Sequence, residues 1–173
     1  MCSPRGESHA FRSIRLRRDP HAAFEPEFVD KLRAIFEDKI VFNRVLGLQI
    51  VDLLPDRATG RIEMRDELIG HYAHHRLHGG VISATLDAMG GLAVMAAIGA
   101  RHMDDAIDAR LARFAKLGTI DLRIDYLRPA LGPRFTATAQ TLRLGSRVAS
   151  TRMEFHDAQS RLLATGSGAY IVS

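Results

Sequence analysis

The sequence has little of the chemistry that stabilises small secreted proteins. Its 173 residues include no tryptophan and one cysteine, Cys2, and only 6% of them are aromatic. A single cysteine excludes an intramolecular disulfide framework and is typical of a reducing compartment, so we expect a cytoplasmic protein. The chain is long enough for one packed domain with an extension, and 46% of its residues are hydrophobic, which is enough to form a core.

Signals for secretion, for a membrane and for nucleic acid are also missing. No long apolar segment opens the chain, and the longest apolar stretch is interrupted by Asp87 and by glycines, so we expect neither a signal peptide nor a membrane span. The net charge is +4, but the basic residues are scattered and lack interleaved aromatic residues that stack on bases. We therefore expect no nucleic acid and no membrane among the partners.

Composition divides the chain into three predicted segments. Residues 1–24 are polar and basic, which predicts a flexible tail because they offer little apolar surface to offset the entropy of ordering. Residues 25–41 begin near Pro26 and carry apolar residues at helical spacing, which predicts an amphipathic helix that packs on the core or covers the substrate as a lid. Residues 42–173 are predicted to form the main domain.

The main domain contains strand patterns on both sides of one long apolar helix, which is predicted over 78–97. Two apolar-rich runs before the helix are separated by a Pro-Asp pair, which is typical of a hairpin. Further runs, separated by short turns, follow the helix. The predicted strands are 48–54, 58–64, 119–127, 135–144, 148–155 and 162–172. This order predicts an α+β fold.

One carboxylate, Asp87, lies in the middle of the apolar helix. A charge withdrawn from water is costly unless it is paired or hydrogen-bonded, so an acid at this position is a candidate general base. The alternative is a structural acid that caps a neighbouring loop or pairs with an arginine.

The residues His78, Gly79 and Gly80 form the predicted start of this helix. The first backbone N–H groups of a helix have no acceptor within it, and glycine lets a substrate carbonyl approach them closely. Together with the positive end of the helix dipole, these donors favour a developing oxyanion. The alternative is that the glycines only form a tight turn into the helix.

The spacing of these two features restricts how they can act together. Gly79 and Asp87 are eight positions apart, which is roughly 12 Å along one helix. If both serve one reaction, they must come from different subunits whose helices lie antiparallel beside a twofold axis. The small residues Ser83, Gly90 and Gly91 predict a stripe of this helix where another backbone comes close.

Two motifs in this order resemble those of the hotdog-fold acyl-CoA thioesterases of the PaaI-like group, which includes thioesterase superfamily member 2. The first is the run His-Gly-Gly with an acid nine positions after the histidine, here His78 and Asp87. The second is Thr119 at the start of a strand that ends in Tyr-Leu-Arg-Pro-Ala at 126–130. The resemblance covers roughly residues 42–172. It implies a curved antiparallel β-sheet wrapped around a long central α-helix, and a homodimer or homotetramer with its active sites at the interface.

The resemblance also implies the reaction, which is hydrolysis of a fatty acyl- or aryl-CoA thioester to the free acid and CoA without a cofactor. Asp87 would activate the water or attack as the nucleophile, the Gly79 N–H would polarise the thioester carbonyl, and Thr119 would hold the water. His78 would shape the turn and help to position the site. Tyr72 stands where the family usually has Asn or Gln. The residues predicted to bind substrate are Tyr72, Gly80, Ser83, Arg128 and Arg147.

Other interpretations remain open on the sequence. Hotdog domains also bind acyl-CoA as non-catalytic sensors, and hotdog dehydratases or hydratases act on 3-hydroxyacyl thioesters with a histidine and a carboxylate, here His78 and Asp87. A helical arrangement would bring four histidines to one face as metal ligands, namely His71, His74, His75 and His78. We expect no metal, because structural zinc sites usually include cysteine and catalytic sites often include a carboxylate.

Overall fold

The computed structural model describes residues 24–173, in which six of eight strands form one antiparallel sheet. The strands are β1 (Gln49–Leu54), β2 (Arg57–Glu63), β3 (Ile69–His71), β4 (Arg76–Leu77), β5 (Gly118–Tyr126), β6 (Arg134–Leu144), β7 (Val148–Asp157) and β8 (Leu162–Ile171). The large sheet has the order β1-β2-β6-β7-β8-β5, so β1 and β5 are its edges. The short strands β3 and β4 pair separately just before the central helix, and the sequence pattern did not predict them.

Among residues 24–173 four α-helices accompany the sheet, namely α1 (Pro26–Arg33), α2 (Val41–Leu46), α3 (Gly79–Arg101) and α4 (Ile107–Ala112). α3 contacts all six strands of the large sheet, and Leu86, Leu92 and Met95 on it are fully buried. The predicted α+β fold with a long central helix is therefore confirmed. α3 is long and apolar enough to cross a membrane, but most of its apolar stretch is buried inside the fold, as in a core helix.

α3 extends to Arg101 instead of ending at residue 97. The glycine near its end, Gly99, does not terminate the helix, because it faces the ring of Phe28 from α1. A methyl group at Gly99 would overlap that ring, so the glycine permits close packing of α1 on α3. Glycine is a common helix terminator, and for that reason the pattern alone places the end of this helix too early.

The N-terminal segment predicted as one helix over 25–41 is helical but interrupted. α1 ends at Arg33, a π-helical segment (Ala34–Lys39) follows, and extended backbone at Ile40 precedes α2. The buried Asn43 side chain donates a hydrogen bond to the Phe36 carbonyl at 2.9 Å, which satisfies a group that a regular helix would pair internally. Apolar periodicity does not reveal this break, because apolar residues continue on both sides of it, from Phe36 to Leu46.

The predicted basic tail lies almost wholly outside the described residues, which begin at Phe24. Phe24 itself is buried, and its ring centre lies 4.9 Å from that of Phe28. This last residue of the predicted tail therefore belongs to the hydrophobic core, where it continues the packing of α1.

Arg110 fixes α4 to the N-terminal segment. It is fully buried, it donates to Glu25 Oε1 at 2.8 Å, and its guanidinium carbon lies 4.4 Å from the ring centre of Phe28. The pKa of Glu25 is lowered, first by a hydrogen bond from its own backbone and next by Arg110, so this carboxylate is ionised at neutral pH. Its contribution to stability is present at neutral pH and is lost as the pH falls through that lowered pKa.

We expect Arg110→Ala to lower the free energy of unfolding by about 3 kcal/mol, because it removes a buried cation with its packing against Phe28. Urea denaturation at neutral pH measures this change. Arg113→Ala is the matched control, since Arg113 pairs with Asp105 at 3.0 Å on a partly exposed surface, where an ion pair contributes less than about 1 kcal/mol. Equal losses for the two variants would contradict the role of Arg110 as a buried anchor.

Candidate active site

Asp87 is half-buried and lines a cavity of about 270 Å³ between α3, the N-terminal segment and β5. The face of α3 that carries Ala84, Asp87 and Ala88 is only half-buried, so the carboxylate is not enclosed by the core as the apolar pattern suggested. The other walls of the cavity are mostly apolar, and they include Phe36, Ile40, Phe42, Phe114 and Leu117. One carboxylate therefore faces an apolar cavity.

Two hydroxyl groups contact this carboxylate. Thr119 donates from Oγ1 to Asp87 Oδ1 at 2.8 Å, and the Tyr170 hydroxyl lies 3.3 Å from the same oxygen and 3.1 Å from the Asp87 backbone carbonyl. Thr119 of β5 and Tyr170 of β8 are directly paired across the two strands, so the register of the sheet brings both to Asp87. A carboxylate held this way beside a cavity can accept a proton from a water molecule.

Tyr170 is a functional candidate that sequence reasoning missed. Burial raises its pKa well above the ordinary value, the negative charge of Asp87 raises it further, and a hydrogen bond with Thr151 opposes these effects. The phenol is therefore protonated at neutral pH and acts as a donor. No motif in the sequence marks this residue, because it is one of several aromatic or aliphatic positions in a regular strand.

The glycines of α3 pack inside the subunit and not against another backbone. Gly90 faces the Tyr170 hydroxyl, which a methyl group at this position would overlap, and Gly91 faces Leu117. Both glycines are buried by residues of their own chain. Their place in the predicted stripe of close approach between helices is therefore wrong, whereas Ser83 in the same stripe is half-buried.

The start of α3 separates the roles of His78, Gly79 and Gly80. His78 is the N-cap, and its Nδ1 accepts the Gly80 N–H at 2.8 Å, so that donor is already used. Within residues 24–173 the Gly79 N–H has no hydrogen-bond acceptor. The Gly79 carbonyl accepts hydrogen bonds from the Tyr126 hydroxyl at 3.0 Å and from Ser83 Oγ at 3.3 Å. Gly79 is therefore the donor that remains available at this helix terminus.

Gly79 lines a second pocket, of about 380 Å³, that does not include Asp87. Arg128 and Arg76 lie in the same pocket, and Arg128 also donates to the Leu162 carbonyl at 2.8 Å. Positive charge next to a free helix N–H suits an anionic or carbonyl-bearing ligand. The two candidate features thus lie at different places along α3 within one subunit.

Tyr72 and Arg147, which are also predicted to bind substrate, do not line either pocket. Tyr72 is 87% exposed in a short 3-10 turn, where its ring stacks on His71, and Arg147 is exposed in the turn between β6 and β7. The neighbouring histidines do not share one helical face, because His71 ends β3, His75 has a left-handed backbone and His78 caps α3. Among residues 24–173 no group of three or more His, Cys, Asp or Glu side chains is arranged to hold a metal ion.

Comparison with known proteins adds a family and several relatives. Residues 74–164 match the model of the thioesterase superfamily. The chain is 38% identical over 131 residues to the medium/long-chain acyl-CoA thioesterase YigI of Escherichia coli. This alignment covers 76% of this chain and 84% of the relative. The region that matches the family model includes α3 and β5, and therefore Asp87 and Thr119.

Solved structures agree with the fold. A Shewanella oneidensis protein related to the thioesterase superfamily superimposes with a TM-score of 0.80 at 38% identity, over 87% of this chain and 100% of that chain. Zebrafish thioesterase superfamily member 2 superimposes with a TM-score of 0.67 at 19% identity, over 87% of this chain and 100% of that chain, which is a likeness of fold alone. The predicted hotdog arrangement of an antiparallel sheet and a long central helix is confirmed.

Proposed function

The chain belongs to the thioesterase superfamily, and from this premise we propose that it hydrolyses acyl-CoA thioesters to the free acid and CoA. The observation that carries the proposal is the Asp87 carboxylate, which Thr119 holds at 2.8 Å beside an apolar cavity. Such a cavity suits the acyl part of a thioester, and the carboxylate suits the activation of water. The reaction needs no cofactor, because CoA is part of the substrate.

The apolar walls favour a hydrocarbon acyl group. Phe36 and Phe114 meet edge to face with ring centres 5.6 Å apart, and both line the cavity beside Asp87. The related Escherichia coli protein is named for medium and long acyl chains. We therefore favour medium- or long-chain acyl-CoA as substrate, with aryl-CoA as the alternative that the two phenyl rings also suit.

In the proposed mechanism Asp87 removes a proton from a water molecule, whose oxygen adds to the thioester carbonyl carbon. The hydrogen bond from Thr119 to Oδ1 orients the carboxylate during this step. The resulting oxyanion accepts a hydrogen bond from the Gly79 N–H, since preorganised donors stabilise charge that develops in the transition state. The carbon–sulfur bond then breaks, the carboxylic acid leaves, and the CoA thiolate takes the proton from Asp87. Direct attack by Asp87, with an anhydride intermediate, is the alternative route.

Asp87 and Gly79 act in one site if the protein is a homodimer. Asp87 and Gly79 line separate pockets within one subunit, and eight helical residues separate them by roughly 12 Å. A twofold axis beside two antiparallel copies of α3 would bring Gly79 of one subunit to Asp87 of the other. A homotetramer of two such dimers is the alternative assembly.

The edge strand β5 is the surface we assign to this dimer. β5 has a neighbour, β8, on one side only, so its other side offers unpaired backbone groups. Its side chains Ile120 and Tyr126 are more than half exposed, and Leu127 just after the strand is 49% exposed. β5 also carries Thr119 and Tyr126, which contact Asp87 and Gly79, so an interface there lies next to both candidate groups.

The CoA part of the substrate fits the pocket around Gly79. Arg128 and Arg76 line that pocket, and guanidinium groups suit the phosphates of CoA. Arg147 and Tyr72 do not line this pocket, so we assign neither of them to the CoA site of one subunit. Gly80 has no free N–H for the substrate, because that group already donates a hydrogen bond to His78 Nδ1.

Thiol release from a panel of CoA esters tests the proposal. The panel contains short, medium and long acyl chains and two aryl esters, and a thiol-reactive dye measures free CoA. We expect turnover with the highest kcat/KM for medium or long chains. CoA-ester binding without thiol release would favour the acyl-CoA sensor, whereas a change in enoyl-CoA absorbance without thiol release would favour the hydratase, and either result would contradict the proposal.

A further inference from the structure

We propose that Tyr170 is a positioning residue for Asp87, because its buried hydroxyl fixes the carboxylate in the orientation that leaves Oδ2 available to a water molecule. The inference rests on the proposed thioesterase function. It assigns a role to a residue of the last strand, far from the His-Gly-Gly and Thr119 motifs in the sequence.

The two oxygens of Asp87 differ in their contacts. Oδ1 accepts the Thr119 hydroxyl at 2.8 Å and has the Tyr170 hydroxyl at 3.3 Å. In the part of the chain that the structure describes, no donor lies within hydrogen-bond distance of Oδ2. The carboxylate is therefore held through one oxygen and presents the other.

The Tyr170 hydroxyl also holds the backbone that carries this carboxylate. It lies 3.1 Å from the Asp87 carbonyl, so one phenol contacts both the main chain and the side chain of the same residue. Oxygen atoms of a carboxylate and a carbonyl are both acceptors, so the phenol must be the donor to each in turn. Burial and the negative charge of Asp87 raise the pKa of Tyr170, which keeps that proton on the phenol at neutral pH.

Two glycines make room for this ring. A methyl group at Gly90 of α3 would overlap the hydroxyl, and a methyl group at Gly168 would lie 2.9 Å from Tyr170 Cε2. Gly168 is also on β8, two residues before Tyr170 on the same face of the strand. The ring is thus confined between the helix and its own strand, which leaves the hydroxyl little freedom to turn away from Asp87.

Tyr170→Phe removes the hydroxyl and keeps the ring. We expect kcat to fall about 10- to 100-fold, the range for loss of a hydrogen bond to a charged group, while KM stays within about twofold because the apolar walls are unchanged.

Three comparisons separate positioning from a loss of packing. Thr141→Val removes a buried hydroxyl without a partner elsewhere in the sheet and should leave kcat unchanged. Tyr170→Phe should keep the circular dichroism spectrum of the wild type while its kcat falls, which a loss of the fold would not do. Tyr170→Phe should cause little further loss in the Asp87→Asn background, because residues that act as a unit are not additive.

A folded Tyr170→Phe protein with the kcat of the wild type would overturn the role of Tyr170 and leave the proposed function intact. An equal fold-loss in the Asp87→Asn background would also overturn it, because the effect would not pass through Asp87. Absence of thioester hydrolysis by the wild type would reject the proposed function and this inference together.

Discussion

We expect Asp87→Asn to lower kcat for acyl-CoA hydrolysis by about 10²- to 10⁴-fold, which is the range for removal of a general base. The amide has nearly the same size as the carboxylate, and its oxygen still accepts the hydrogen bond from Thr119. It cannot take the proton from water, so the loss falls on kcat, whereas KM stays close to that of the wild type. Steady-state thiol release with the best ester of the panel measures both constants.

Asp30→Asn is the matched control for this substitution. Asp30 is an exposed residue of α1, so the same chemical change there should leave kcat unaltered. Circular dichroism and thermal melting confirm that both variants are folded. Wild-type turnover in a folded Asp87→Asn protein would remove Asp87 from the mechanism, both as base and as nucleophile.

Gly79→Pro should lower kcat by about 10²- to 10³-fold, the effect of removing one oxyanion donor. Proline at the first helical position removes the backbone N–H and is well tolerated there, and its Cβ makes the same contact with Tyr126 as that of the alanine control. The preceding residue His78 has φ −66° and ψ 136°, which is the extended conformation that a following proline requires. The substitution therefore removes the proposed donor without disturbing the helix.

Gly79→Ala distinguishes the role of the Gly79 N–H from the role of the open space beside a residue without a side chain. It keeps the N–H, and its methyl group would lie 3.4 Å from Tyr126 Cε1, a tight contact that a small shift of the ring relieves. We expect kcat to fall less than about tenfold, well short of the loss for Gly79→Pro. If the alanine variant lost as much activity as the proline variant, steric access and not the N–H would be the function of Gly79.

Local patterns predicted most of the fold because they describe what each element buries. Alternating apolar residues located the strands, and an apolar run interrupted by one acid located α3. The break at Ile40 and the continuation of α3 past Gly99 were not predictable, since both depend on contacts between distant residues, Asn43 with Phe36 and Gly99 with Phe28. The predicted domain boundaries stay predictions.

The candidate site divides in the same way. The His-Gly-Gly run and Asp87 are close in sequence, and Thr119 follows from the resemblance, so these residues were identifiable. Tyr170 was not, because it reaches Asp87 only through the pairing of β5 with β8. The resemblance had already pointed to the Gly79 N–H, and the hydrogen bond from the Gly80 N–H to His78 Nδ1 gives the physical reason why Gly79 is the free donor.

A heterodimer of Asp87→Asn and Gly79→Pro subunits tests most directly whether one active site contains Asp87 of one subunit and Gly79 of the other. The two chains carry different affinity tags, are co-expressed and are purified through both tags. In this account one of the two interface sites has both defects and the other has neither, so the heterodimer should show about half the wild-type kcat while each parent is nearly inactive. A heterodimer as inactive as its parents would contradict the shared site.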